Sequence, residues 1–308
     1  MRYYLCCGIG LFLVLMACKK EPAKAVADVL QNKDVAAVSE VKVRPAKVDM
    51  NISVFLDLSD RIDPEKYPNP AMEFYERDLG YINAVTRTFE NHVLHKKIRD
   101  INDYLQIYLD PEPADKTLNA KIRSLNTGFN RYNAHKDSIL ETSRKYDSIT
   151  RIIYETAIAD QDFVGSDIWG FFKTKVKSLC IRKGFRNVLV VLTDGYIYHE
   201  NTRIKQRNRT SYFTPQDIRR EGLNSGKWMK RKEEGDYGLI PATDGLDSLE
   251  VLVLGINPDK KNPYEADVMV GYWEEWLLVM GVRRFEIKTA LLPADMNKII
   301  VEFLSDNP

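Results

Sequence analysis

Between Asn51 and Leu304 the hydrophobic pattern switches repeatedly between two periods. Short runs that are apolar at most positions, Asn51–Leu56, Val188–Leu192 and Leu249–Ile256, predict buried strands. Segments with apolar residues three and four apart predict helices. Phe74, Leu79, Ile82, Val85, Phe89, Val93 and Ile98 give one long amphipathic helix over 71–99, and further helices are predicted at 168–181, where Gly184 supplies a stop signal, at 264–280 and at 294–304. Strands are also predicted at 104–109, whose weaker alternation places it towards an edge, and at 284–291. Strands alternating with helices indicate an α/β fold, a doubly wound and mainly parallel sheet of the Rossmann-like kind, covered by helices.

Two stretches depart from that alternation. Leu118, Ile122, Leu125, Phe129 and Tyr132, then Ile139, Tyr146, Ile149, Ile153 and Ile158, form helical stripes, so 114–160 is expected to be a helical hairpin inserted in the sheet domain. Residues 199–247 are long, polar and basic, and are expected to be a surface excursion, with Arg203, Arg207 and Arg209 as candidate contacts to an anionic ligand. Acidic residues are interspersed there, which favours a solvated face.

The amino-terminal residues suit export. Arg2 followed by apolar residues from Leu5 to Met16 is too short to span a bilayer but suits a secretory signal, and Leu15-Met16-Ala17-Cys18 resembles the bacterial lipoprotein box. That resemblance implies cleavage before Cys18 and acylation of its sulfur. The expected organisation is a signal peptide at 1–17, a flexible tether at 18–48 and a domain at 49–308. The expected location is the bacterial cell envelope, lipid-anchored and at the outer membrane, with the periplasmic or surface face left open. Lys19-Lys20-Glu21 resembles some surface-export signals.

Composition narrows the function classes. The chain is 44% hydrophobic and 29% charged, as ordinary globular proteins are, and its formal net charge of +1 gives no reason to expect a nucleic-acid partner. Of four cysteines, Cys6 and Cys7 fall in the signal and Cys18 is the acylation site. Cys180 remains, in an apolar-periodic segment where a buried structural thiol is expected. The four histidines show no metal-ligand spacing with cysteine and no Gly-x-Ser-x-Gly elbow is present, so neither a zinc site nor a serine hydrolase is indicated. Trp273 and Trp276 read as core or rim anchors.

Candidate chemistry lies at the ends of two predicted strands. Asp57-Leu58-Ser59-Asp60-Arg61 follows the first, and Thr193-Asp194-Gly195 follows the run Val188–Leu192. In an open α/β sheet the carboxyl ends of the strands hold the ligand. With Gly165-Ser166-Asp167, these residues resemble the von Willebrand factor type A family, whose metal-ion-dependent adhesion site uses Asp-x-Ser-x-Ser, a threonine in a glycine-containing loop and a later aspartate. Asp57 and Ser59 match the first two positions, Ser166 takes the threonine place and Asp194 the last. The resemblance implies a bound Mg2+, for which two carboxylates, two hydroxyls and waters are a suitable oxygen shell. It also implies a noncatalytic adhesion-type module that captures a protein or acidic ligand, a partner carboxylate replacing one water.

The third motif position is Arg61, which cannot ligate a cation. An inward guanidinium would repel Mg2+ and pair with Asp57 or Asp194. An outward one would be neutralised by Asp60 or Asp63 and leave the four candidate ligands free. Two other readings compete: a metal-dependent phosphohydrolase using Asp57 and Asp60, against which Ser59 stands where such enzymes place a second aspartate, and an envelope scaffold acting through the helical insertion.

Overall fold

The computed structural model describes residues 48–160 and 166–305. The expected signal peptide, nearly all of the tether, Cys18 and Gly165 lie outside the described residues. Among the described residues no helix is long and apolar enough to cross a membrane.

Six strands form one sheet: β1 (Met50–Leu56), β2 (Asn102–Tyr108), β3 (Thr127–Asn130), β4 (Arg186–Leu192), β8 (Leu249–Ile256) and β9 (Arg284–Thr289), in the order β3-β2-β1-β4-β8-β9. All neighbours are parallel except β2 and β3. Every residue of β1, β4 and β8 is buried, as expected of central strands covered on both faces. Their alternate side chains divide between two cores. Ile52, Val54, Leu56, Val188, Val190 and Leu192 face a layer containing α1 (Phe74–Leu94), α4 (Thr142–Asp160) and α10 (Pro293–Ser305). Phe55, Leu189, Val191, Val251 and Val253 face α5 (Ile168–Thr174), α6 (Val176–Cys180) and α9 (Glu265–Val279). The fold is therefore α/β, with a mixed and mostly parallel sheet between two helical layers. Chain order reverses between β1 and β4, and both predicted aspartates stand at the carboxyl ends of these two strands.

Several elements differ from the sequence pattern. Helix α1 stops at Leu94, and Ile98 lies beyond it, exposed, because Lys96 and Asp103 close the connection to β2 through an ion pair. Residues 114–160 are not a helical hairpin. They contain α2 (Lys116–Ser124), edge strand β3, α3 (Lys136–Leu140) and α4. Phe129 belongs to β3 and stacks on Phe89 of α1, so the segment is part of the sheet domain, and the premise of a separable scaffold insertion falls. A four-residue strand has too few alternations to register as one; its pairing with β2, which is thereby not an edge, decides it.

The predicted helix 168–181 breaks at Lys175 into α5 and α6, and Gly184 (φ +86°) sits in the turn before β4, beyond the helix end. Residues 199–247 are also folded. They hold a small sheet of β5 (Lys205–Gln206), β6 (Arg209–Thr210) and β7 (Gly238–Leu239), with α7 (Pro215–Arg220) and α8 (Trp228–Gly235). Phe213, Ile218, Leu223, Leu239 and Leu246 from this segment are buried in the core under α9, which overturns the solvated excursion. Helix α7 begins with a capping box in which the Thr214 hydroxyl and Asp217 exchange hydrogen bonds with each other's backbone.

Candidate functional site

The strand ends are fastened to one another before any ligand is considered. The Asp57 amide donates to the Leu192 carbonyl (3.0 Å), the Thr193 amide to Leu254 (3.1 Å) and the Asn257 amide to Asp194 (2.9 Å), so the β1, β4 and β8 ends move as one piece. The Asp57 carboxylate, 3% exposed, accepts the Ser59 amide at 3.0 Å on Oδ1 and the Thr193 hydroxyl at 2.8 Å on Oδ2. Ser166 comes from the start of α5, where its Oγ accepts the Leu58 amide at 2.9 Å and locks that loop against the first motif. Asp194 accepts the Tyr196 amide at 3.0 Å across a turn whose Gly195 has φ +97°; a Cβ there would lie 2.4 Å from Ile256, so the turn needs glycine for both conformation and space.

Arg61 points inward. Its Nε donates to the Asp57 carbonyl and its Nη2 to the Leu192 carbonyl, each at 3.1 Å, and Nη2 also contacts the Asp78 carboxylate on α1. The Asp57 carboxylate is 3.7 Å from Nε, an ion pair without a hydrogen bond. The expected pairing with Asp57 is present in this ion pair, and Asp78, which was not among the expected partners, is the closer counter-charge. Tyr154 of α4 supports it from behind, its hydroxyl donating to Asp78 Oδ2 at 2.8 Å. Burial works against the Arg61 charge, but Asp78 and then Asp57 outweigh it and hold the guanidinium above its ordinary pKa. At Asp78 burial raises the carboxyl above the usual range, while the guanidinium in contact favours its ionised form. Asp60 turns to Lys66 instead, and Asp63 accepts the Glu65 amide, so neither neutralises Arg61.

Arg61 borders the same space as the predicted ligand set, its guanidinium 3.7 Å from the Asp57 carboxylate and paired with Asp78. Asp57, Ser59, Ser166 and Asp194 all line one cavity of about 940 Å3. Burial, then the negative charge of Asp57, pushes the Asp194 carboxyl up to about 7, which is what two carboxylates facing one space with too little positive charge produce. A divalent cation between them would remove that penalty. Among the described residues no group of three His, Cys, Asp or Glu side chains is arranged to hold a metal; this set has two carboxylates and two hydroxyls. Such a donor set fits Mg2+ with retained waters.

The cavity walls come from three connections. Tyr67 and Asn69 follow β1, Asn257 and Lys260 follow β8, and Tyr196, Tyr198 and Gln216 belong to the segment after β4. Arg203, Arg207 and Arg209 do not line it. Arg203 lies over the Tyr198 and Tyr212 rings, Arg207 occupies a turn with φ +55°, and Arg209 is paired with Asp236 and Glu275. Their expected role as ligand contacts is therefore replaced by an internal one for Arg203 and Arg209.

Sequence reasoning missed Asp78, Tyr154 and the wall tyrosines. Asp78 had a signal, since an acid four residues before Ile82 lies on the apolar stripe of its helix, where a charge needs a partner.

No family model matches the chain, and no curated protein matches it. Among solved structures, the pilus adhesin SpaC from Lactobacillus rhamnosus GG is similar over 83% of this chain, with a TM-score of 0.38 and 10% identity. The chain spans 31% of the length of that protein. So slight a likeness fixes neither family nor function.

Proposed function

We propose that the chain is a noncatalytic, von Willebrand type A-like binding module, lipid-anchored through Cys18 in a bacterial envelope at the outer membrane, which captures a protein or acidic ligand at the carboxyl edge of its sheet. The observation that carries the reading is the convergence of Asp57, Ser59, Ser166 and Asp194 on one cavity at the β1/β4 reversal, where Arg61, which also borders it, is paired with Asp78. Mg2+ held by those four residues would supply a Lewis-acidic point for a partner carboxylate. The protein's own contribution is to orient the donors: the Ser59 amide and Thr193 hydroxyl fix both oxygens of Asp57, and the Leu58 amide fixes Ser166. Phosphohydrolase chemistry through Asp57 and Asp60 is the weaker reading because Ser59 stands where such enzymes place a second aspartate.

The test is calorimetric titration of Mg2+ and Mn2+ into the purified full-length chain in detergent, with acetate as a stand-in carboxylate, beside Asp194→Ala and Asp57→Ala. Saturable binding that both variants lose supports the site. A folded wild-type chain that binds neither ion, with or without acetate, rules it out.

A further inference from the structure

Resting on that ion-dependent reading, we infer that the ligand is a saccharide carrying carboxylates, a sugar acid whose carboxylate meets the ion between Asp57 and Asp194 while its ring lies against the tyrosine wall.

The argument starts from what the cavity lacks. None of the residues lining it is Ala, Val, Leu, Ile or Met; the apolar lining consists of four aromatic rings and three prolines. An amphipathic peptide helix docks by laying its apolar face into a hydrophobic groove, and this wall offers no aliphatic residue to line one. Tyrosine presents a flat apolar body with a polar tip, which suits a ring with C–H groups on its faces and hydroxyls around its edge. Tyr67 and Tyr198 are 42% and 46% exposed; Lys66 lies over the first ring and Arg203 over the second, so such contact is made with the remaining face and edge of each.

The polar lining agrees. Gln216 and Asn257 carry a donor and an acceptor on one planar group, the arrangement that pairs with adjacent hydroxyls. Among the described residues neither amide side chain has a hydrogen bond within the protein, while both line the cavity. Three separate connections contribute these groups, so the ligand would touch all of them at once. At about 940 Å3 the space lies at the upper end of small-ligand sites and far exceeds what a single carboxylate requires.

Charge sets the dependence on the ion. Asp60 is paired with Lys66 and Asp259 with Arg219, so when Asp194 is ionised the carboxylates that meet an incoming anion are Asp57 and Asp194 against Arg61, which is also paired with Asp78: a local excess of negative charge that opposes an anionic sugar. A bound divalent ion reverses that sign. A neutral sugar would gain nothing from the ion.

The probes are an oligogalacturonate and an oligoglucuronate, a neutral oligosaccharide of equal length and triglutamate, each titrated calorimetrically into the full-length chain with Mg2+ or with EDTA. The expected result is that an acidic oligosaccharide binds in Mg2+, binding is lost in EDTA and in Asp194→Ala, and the neutral sugar and triglutamate bind more weakly. Tyr198→Ala and Gln216→Ala should each weaken binding about 3- to 10-fold, as expected for one aromatic or hydrogen-bond contact, and Tyr132→Ala, an exposed tyrosine outside the cavity, should leave it unchanged. If Mg2+ binds but triglutamate is preferred, or neither acidic oligosaccharide binds, the saccharide inference is overturned and the ion site stands. If Mg2+ itself does not bind, the underlying reading falls, and an acidic oligosaccharide that binds equally well in EDTA overturns the carboxylate-to-ion contact.

Discussion

Asp78→Ala is the most informative perturbation because it removes the counter-charge of Arg61 without touching the cavity. Arg61 and Asp78 are 5% and 1% exposed, so the guanidinium has little access to water where it stands. Contacting unit charges at an effective dielectric of about 20 attract by roughly 4–6 kcal/mol, and breaking buried pairs typically costs about 3–5 kcal/mol. Two carbonyl hydrogen bonds and the Asp57 carboxylate at 3.7 Å soften the loss, while the Tyr154 hydroxyl is left without its acceptor and adds about 1–3 kcal/mol. The net expectation is a loss of about 3–5 kcal/mol, or a fall in Tm of roughly 6–20 °C for a domain of this size.

Urea unfolding followed by tryptophan fluorescence reads the loss, since Trp273 and Trp276 are buried. The double variant Arg61→Met, Asp78→Asn should recover most of it, because a neutral pair leaves no orphan charge and asparagine can still accept from Tyr154. In Asp78→Asn alone, the carboxylates left to balance the guanidinium are the candidate ligands Asp57 and then Asp194, so Mg2+ binding should weaken. A single Asp78→Ala variant that loses less than about 1 kcal/mol and keeps its Mg2+ affinity would refute the account of Arg61, since burying an unpaired charge cannot be that cheap.

Asp194, raised to about 7, binds a proton in the folded state that the unfolded chain releases near the ordinary value of 3.8. In EDTA its contribution therefore favours folding below about pH 4 and is lost as pH rises through 7; Asp194→Asn should flatten the fall in stability measured between pH 4 and 8. Cys180 is fully buried and its thiol is pushed up to about 12 by burial, so peptide mapping after alkylation at pH 8 should find it unmodified in the native chain and modified only in denaturant.

Local periodicity carried the central sheet. The apolar runs ending at Leu56, Leu192 and Ile256 are strands buried on both faces, and the helices over 74–94, 265–279 and 293–305 follow three-to-four spacing closely enough for their existence, if not their ends, to be read directly. The placement of Asp57 and Asp194 at strand ends was legible for the same reason. So was the burial of Cys180, which lies on an apolar stripe.

The remainder depended on partners distant in the chain. The four residues of β3 carry too little alternation to declare a strand, and β2 supplies the hydrogen bonds that make them one. The polar composition of 199–247 concealed its scattered apolar residues, which acquire a core only when α9 packs over them. Arg61 could have turned either way from its own sequence neighbourhood. Its direction was set by Asp78 on the next helix and Tyr154 nearly a hundred residues on, because a buried charge goes where an opposite charge and hydrogen bonds can meet it, and only the packed structure brings those together.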